Sequence, residues 1–254
     1  KKHKQKQVLL QRKNNCMSIV HGSIIPQLTT APTAPDLRAA FSEIEGELYF
    51  MRPDTIVVLD TAPETDTVAT VSIAECLKTP DGNCIMKNDI ELIMHMKSEC
   101  ANRGHSDWLY LDASEHIDSD VAISLTRISS HLQNAKYVHV RLPLSSEVFP
   151  LSQIVKLGDA LGSTLLSANT RIAFVAAITP DDQSSDFLVG LQKAVTQNTL
   201  KDLQATKPVA IDGRSETTIH AFLSAFHGTQ FNSRLLCSTN TDAGLMLVAD
   251  LTMS

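Results

Sequence analysis

Three short apolar runs each deliver a polar, chemistry-capable side chain. Ser-Ile-Val (18–20) leads into His21, Thr-Ile-Val-Val-Leu (55–59) into Asp60 and Thr61, and Trp-Leu-Tyr-Leu (108–111) into Asp112. In open α/β sheets, ligands bind outside the carboxyl ends of such strands. A pair of carboxylates there suits a divalent cation or an acid and base working together. An imidazole adds a metal ligand, and Ser23 and Thr61 would line the same pocket. The competing reading makes the acids solvated loop residues of an acidic protein and His21 a hydrogen-bonded loop residue. His116 shares a loop region with His105, Asp107 and Glu115, but a spacing of eleven between the two histidines matches no zinc motif. His220 and His227 are one heptad apart, which puts them on one helix face in contact with a neighbour or with solvent. Ser23, Ser114 and Ser184 lack the Gly-x-Ser-x-Gly setting of a nucleophile elbow, and no Gly-rich phosphate loop is present.

The elements that must position these residues alternate. Asp36 caps a predicted helix over 36–50, whose apolar residues Leu37, Ala40, Phe41, Ile44 and Leu48 share a face. The run 55–59 has no polar alternation, as expected of a strand covered on both faces. A second apolar run spans 68–73, and Pro80-Asp81-Gly82-Asn83 marks a turn. Asn88 is the predicted cap of a helix through Cys100. Further helices are expected over 120–132, 151–167, 185–197 and 214–226, and strands over 136–142, 171–177, 234–237 and 245–250. This order predicts one α/β domain in three layers: a mostly parallel or mixed central sheet with helices on both faces.

Charge is unevenly placed. Six of the 22 basic residues, and no acid, fall in residues 1–16. The rest of the chain sets 16 bases against 28 acids, which argues against nucleic-acid binding by the folded domain. The basic start reads as a disordered leader, or as translated sequence upstream of a natural start at Met17, with the domain over 17–254. No apolar run reaches the roughly 18 residues of a membrane span. Five cysteines at irregular spacing argue against structural disulfides or a zinc site and for the cytoplasm.

Taken in order, these elements resemble the LigB-like, class III extradiol ring-cleavage dioxygenases, a superfamily related to AmmeMemoRadiSam and Memo-type proteins. Ser-Ile-Val-His-Gly-Ser-Ile-Ile-Pro-Gln-Leu (18–28) is similar to that family's opening strand and His-containing step. Arg-Pro-Asp-Thr-Ile-Val-Val-Leu (52–59), Trp-Leu-Tyr-Leu-Asp (108–112), Ile-Val-Lys-Leu-Gly-Asp-Ala-Leu (154–161), Arg-Ile-Ala-Phe-Val-Ala-Ala (171–177) and Ala-Gly-Leu-Met-Leu-Val-Ala-Asp (243–250) resemble successive later segments. The likeness runs over about residues 17–251.

The resemblance implies a non-haem Fe(II) held by two His and one Glu, with open positions for catechol and oxygen. His21 matches the first ligand. The second falls on Ala62, and the Asp-His pair of the family reads Asp112-Ala113. The acid/base His is missing from 178–182, and the ligand Glu has only Asp212 and Glu216 nearby. One imidazole does not hold iron. The expectation is therefore the fold without the iron site and without a cofactor: a non-catalytic subunit or binding module, assembling with itself or with a related catalytic chain. The alternative is an active Fe(II) extradiol-type dioxygenase or related oxidoreductase with rearranged ligands, drawn from His21, Asp60, Asp112, His116 and Glu216. That alternative requires at least three of them to converge.

Overall fold

The computed structural model describes residues 18–61, 68–79, 84–144, 149–180, 185–205, 213–242 and 244–253. Its centre is an eight-stranded sheet in the order β6-β3-β7-β2-β8-β1-β10-β9. The strands are β1 (Ile19–Pro26), β2 (Thr55–Thr61), β3 (Ala69–Ser72), β6 (Leu109–Asp112), β7 (Lys136–Leu142), β8 (Ile172–Ile178), β9 (Phe231–Thr241) and β10 (Gly244–Met253). The four middle strands β7, β2, β8 and β1 run parallel, while β3 and β10 pair antiparallel to β7 and β1. A separate hairpin joins β4 (Cys76–Lys78) and β5 (Cys84–Lys87).

The sequence order dictates the layers. A parallel strand must be reached by a crossover, and the crossover helix covers a face of the sheet. Helices α2 (Ile90–Asn102), α4 (Leu151–Ser167), α5 (Ser185–Thr196), α6 (Leu200–Ala205) and α7 (Arg214–Ala225) close one face around Phe174, Phe222 and Phe226. On the other face, α1 (Pro35–Met51), α3 (Ser119–Ser129) and the β4–β5 hairpin pack over Ile56, Val58 and Val175. The fold is thus the expected three-layer α/β arrangement with a mixed sheet. Every residue of β2 and β8 is buried, which explains why neither shows polar alternation.

Several expectations need correction. His21 is not in a loop at a strand end but inside β1, near its amino end. The strand continues past the short apolar run through Ile24 and Ile25 to Pro26, with a register shift between Ile19 and His21. Asp89 rather than Asn88 caps α2, its carboxylate accepting from the Leu92 N–H at 3.3 Å. The Asn88 amide instead donates to the carbonyls of Ser72 and Ala74. Cys76, at the start of β4, is disulfide-bonded, against the expectation of reduced thiols throughout. Spacing along the chain does not report the through-space distance that permits such a bond. Cys100 and Cys237 are free and buried.

Candidate functional site

Alternation along the strands places His21, Ser23, Asp60, His139 and Asp250 on the face that α1 and α3 cover. Ile56 and Val58 lie on that face, so Asp60 does too; Tyr137 does the same for His139. All five polar side chains are buried. Burying a polar group costs free energy unless it finds a partner, so their partners define what each can do.

Asp60, the penultimate residue of β2, is fully buried and is no solvated loop acid. Its Oδ1 lies 2.8 Å from His139 Nε2 on the neighbouring strand β7. Its second oxygen, Oδ2, is buried without a hydrogen-bond partner, and so is Nε of Arg141, the residue directly across from Asp60 in the ladder. Arg141 reaches Asp118 at 3.6 Å with its other end. Sequence reasoning missed His139, in the middle of β7, and Arg141, its penultimate residue, because a polar residue within a strand carries no local signal of its partner.

Thr61 ends β2 and is held from the facing helix. Its hydroxyl donates to the Arg214 carbonyl at 2.9 Å and sits 2.7 Å from the Thr218 hydroxyl. The Arg214 guanidinium donates through Nε and Nη2 to the Thr61 carbonyl, at 3.0 and 2.7 Å. Ser215 ties the start of α7 to the end of β8 through the Thr179 carbonyl at 2.6 Å. The first turn of α7 therefore fixes the carboxyl ends of two parallel strands, the location where this architecture binds ligands.

His21 lies elsewhere. It stands level with Ala173 and, through it, with Ile56, four residues before Asp60. That is about 13 Å back along the strands and about 10 Å across them. Its Nδ1 faces Asp250 Oδ1 at 3.6 Å, while Asp250 Oδ2 accepts from Arg234 Nη2 at 3.1 Å. Arg234 in turn binds Glu43 at 2.6 Å. Ser23, opposite Asp250, has a buried hydroxyl with no partner, and His21 Nε2 likewise has none.

The remaining candidates are dispersed. Asp112 ends the outermost strand β6, three strands from β2, and caps the Ser114 N–H at 3.0 Å. His116 is exposed and joins Lys78 through a backbone bridge. Glu216 lies 3.8 Å from His220 within α7. His220 is buried whereas His227 is exposed beyond the helix end, so the two do not share a face. His105 stacks on Trp108 with ring centroids 3.7 Å apart. Ala113 is exposed. Ala62, Asp212 and the segment 181–182 lie outside the described residues. Among the described residues, no group of three or more His, Cys, Asp or Glu side chains gathers as a metal site would require. The residues described do not fit a His-His-Glu iron centre.

A cavity of about 510 Å³ does open on the surface, lined by Met86, Thr126, Ser129, Gln133, Lys136 and Tyr137. It lies at the amino end of β7, opposite the strand ends where the fold places ligands.

Burial pushes the His21 imidazole below its ordinary value of 6.5; Asp250 pulls it back up and Arg234 lowers it further. As pH falls, the unfolded chain binds this proton first, so between 6.5 and the lower folded value the unfolded state holds more protons. Stability therefore falls on acidification through that window, by up to about 1.4 kcal/mol per pH unit for one proton. His21→Gln should remove this slope from urea unfolding curves recorded between about pH 5 and 7.5. Equal slopes in the two proteins would refute the assignment.

Comparison with known proteins gives the architecture and little else. No family model matches the chain, and no curated protein matches it. The crystal structure of the uncharacterized protein JW3007 from Escherichia coli K12 is similar, with a TM-score of 0.64 over 92% of this chain and 99% of that one. At 14% identity this is a likeness of fold alone. Among the described residues, no helix is long and apolar enough to cross a membrane.

Proposed function

We infer that this chain is a LigB-like scaffold working as a binding or assembly module, a non-catalytic subunit rather than an iron-dependent ring-cleavage enzyme. The observation that carries the reading is the dispersal of the candidate ligands, each beside a different neighbour. His21 faces Asp250, Asp60 binds His139, Thr61 is clamped by Arg214 and Thr218, and Glu216 neighbours His220. Iron held by rearranged ligands would need at least three donors pointing at one centre. His21 and Asp60 are separated by two strand spacings, and Asp112 stands three strands beyond Asp60 in the other direction.

In this role the Thr61–Arg214 clamp is a structural device. It ties the carboxyl end of β2 to α7, as the Ser215–Thr179 bond does for β8. The partner class is a second copy of this chain or a related catalytic chain. The test is oxygen uptake by the Fe(II)-treated protein with a panel of catechols. We expect uptake no faster than with free Fe(II) alone. Catechol-dependent uptake that saturates with substrate and scales with protein concentration would overturn the reading.

A further inference from the structure

We propose that β9 is a self-association edge, along which two copies of this chain pair antiparallel and join their sheets across a two-fold axis. The proposal names the surface for the assembly role above and rests on that reading. The sheet has two ends. At one, β6 is four residues long; at the other, β9 is 11 residues long and has β10 as its neighbour on one side. A long edge strand is a template for another chain unless it is blunted.

The first half of β9 is blunted. The Asn198 side chain accepts the Ser233 N–H at 2.8 Å, Arg234 puts a charge there, and the register shifts where Leu235 and Cys237 flank Leu236. Among the described residues, 237–240 show none of these devices. Residues 237–240, Cys-Ser-Thr-Asn, carry no charge, proline or glycine. They pair on one side with Val248–Leu245 of β10. This part of the ribbon also outruns its support, since β10 pairs with β1 only at Ala249, Asp250 and Leu251.

Hydrophobic layers are left open at the same edge. Leu235 and Leu245 pack half-buried against one core, and Leu236 and Met246 against the other. A second ribbon laid alongside would extend both layers and cover these side chains. The formal charge of the chain is −6, so two copies carry a net mutual repulsion. An uncharged strip is where they can meet. An antiparallel strand pair is self-complementary about a two-fold axis, as a closed dimer requires.

Sedimentation velocity of the full chain at concentrations up to about 100 µM tests this. We expect a monomer–dimer equilibrium. The double variant Ser238→Lys, Thr239→Lys sets like charges against their own copies on both faces of the joint ladder. It should raise the dissociation constant at least about tenfold with an unchanged far-UV circular dichroism spectrum. A wild-type protein that stays monomeric throughout would overturn the proposal, as would a folded variant that dimerises as tightly as wild type. Should the variant fail to fold, hydrogen exchange on the wild type decides. Amides of 238–240 gain protection as protein concentration rises if β9 pairs with β9, and concentration-independent exchange there refutes it. Catechol turnover would sink the non-catalytic reading without touching this result, and monomeric sedimentation would sink this one without restoring an iron site.

Discussion

Gly162→Ala should destabilise the protein by more than about 3 kcal/mol, or prevent folding. Helix propensity alone predicts the opposite sign, because alanine in a helix interior is worth about 1 kcal/mol over glycine. The geometry decides. A Cβ at Gly162 would stand 2.1 Å from the Ala225 carbonyl oxygen and 2.5 Å from the Ala225 Cα. One turn earlier, a Cβ at Gly158 would meet the Ala221 carbonyl oxygen at 2.3 Å. These neighbours are backbone atoms, so no side-chain rotation relieves the clash. The two glycines let α4 and α7 touch along their backbones, and α7 in turn carries Arg214 to the end of β2. Gly46 in α1 is the control, since a Cβ there meets nothing within 4 Å. Gly46→Ala should therefore stabilise, by about 0.5–1 kcal/mol. Guanidinium unfolding of both variants at equal m-value checks the pair. A Gly162→Ala protein as stable as wild type would refute the packing argument.

The second large effect concerns Asp60 and His139. Asp60→Ala and His139→Ala should each cost about 2–4 kcal/mol, because each leaves a buried polar group without its 2.8 Å partner. The double variant should cost much less than the sum of the two, with a coupling of about 1–3 kcal/mol in a double-mutant cycle. If Asp60 were a solvated loop acid, Asp60→Ala would stay within about 0.5 kcal/mol of wild type and show no coupling. Urea unfolding of the four proteins separates these outcomes.

The architecture was legible because its signals are local. The apolar run of β2 announces a strand buried on both faces, and the five apolar residues of α1 at helical spacing are the ones the structure buries. The β4–β5 hairpin was not legible, since strands of three and four residues are too short to show a period. The site was legible only in part. Asp60 and Thr61 were found at a strand end, but their partners His139 and Arg214 lie 79 and 153 residues away. No spacing rule connects residues so far apart. His21 lies within β1 because the strand runs on through Gly22 and Ser23 to Pro26, and a polar step of His-Gly-Ser reads locally as a loop. Gly158 and Gly162 looked like ordinary members of an apolar helix; the backbone contact that requires them is visible only once α7 is packed against α4.

The central proposal is that this chain works without an iron centre of the ring-cleavage kind. The most direct measurement is the iron content of the purified protein after anaerobic reconstitution with Fe(II) and desalting, for wild type and His21→Ala. The account predicts well below one iron per chain in both proteins, with no dependence on His21. One tightly held iron per wild-type chain, lost in His21→Ala, would contradict it.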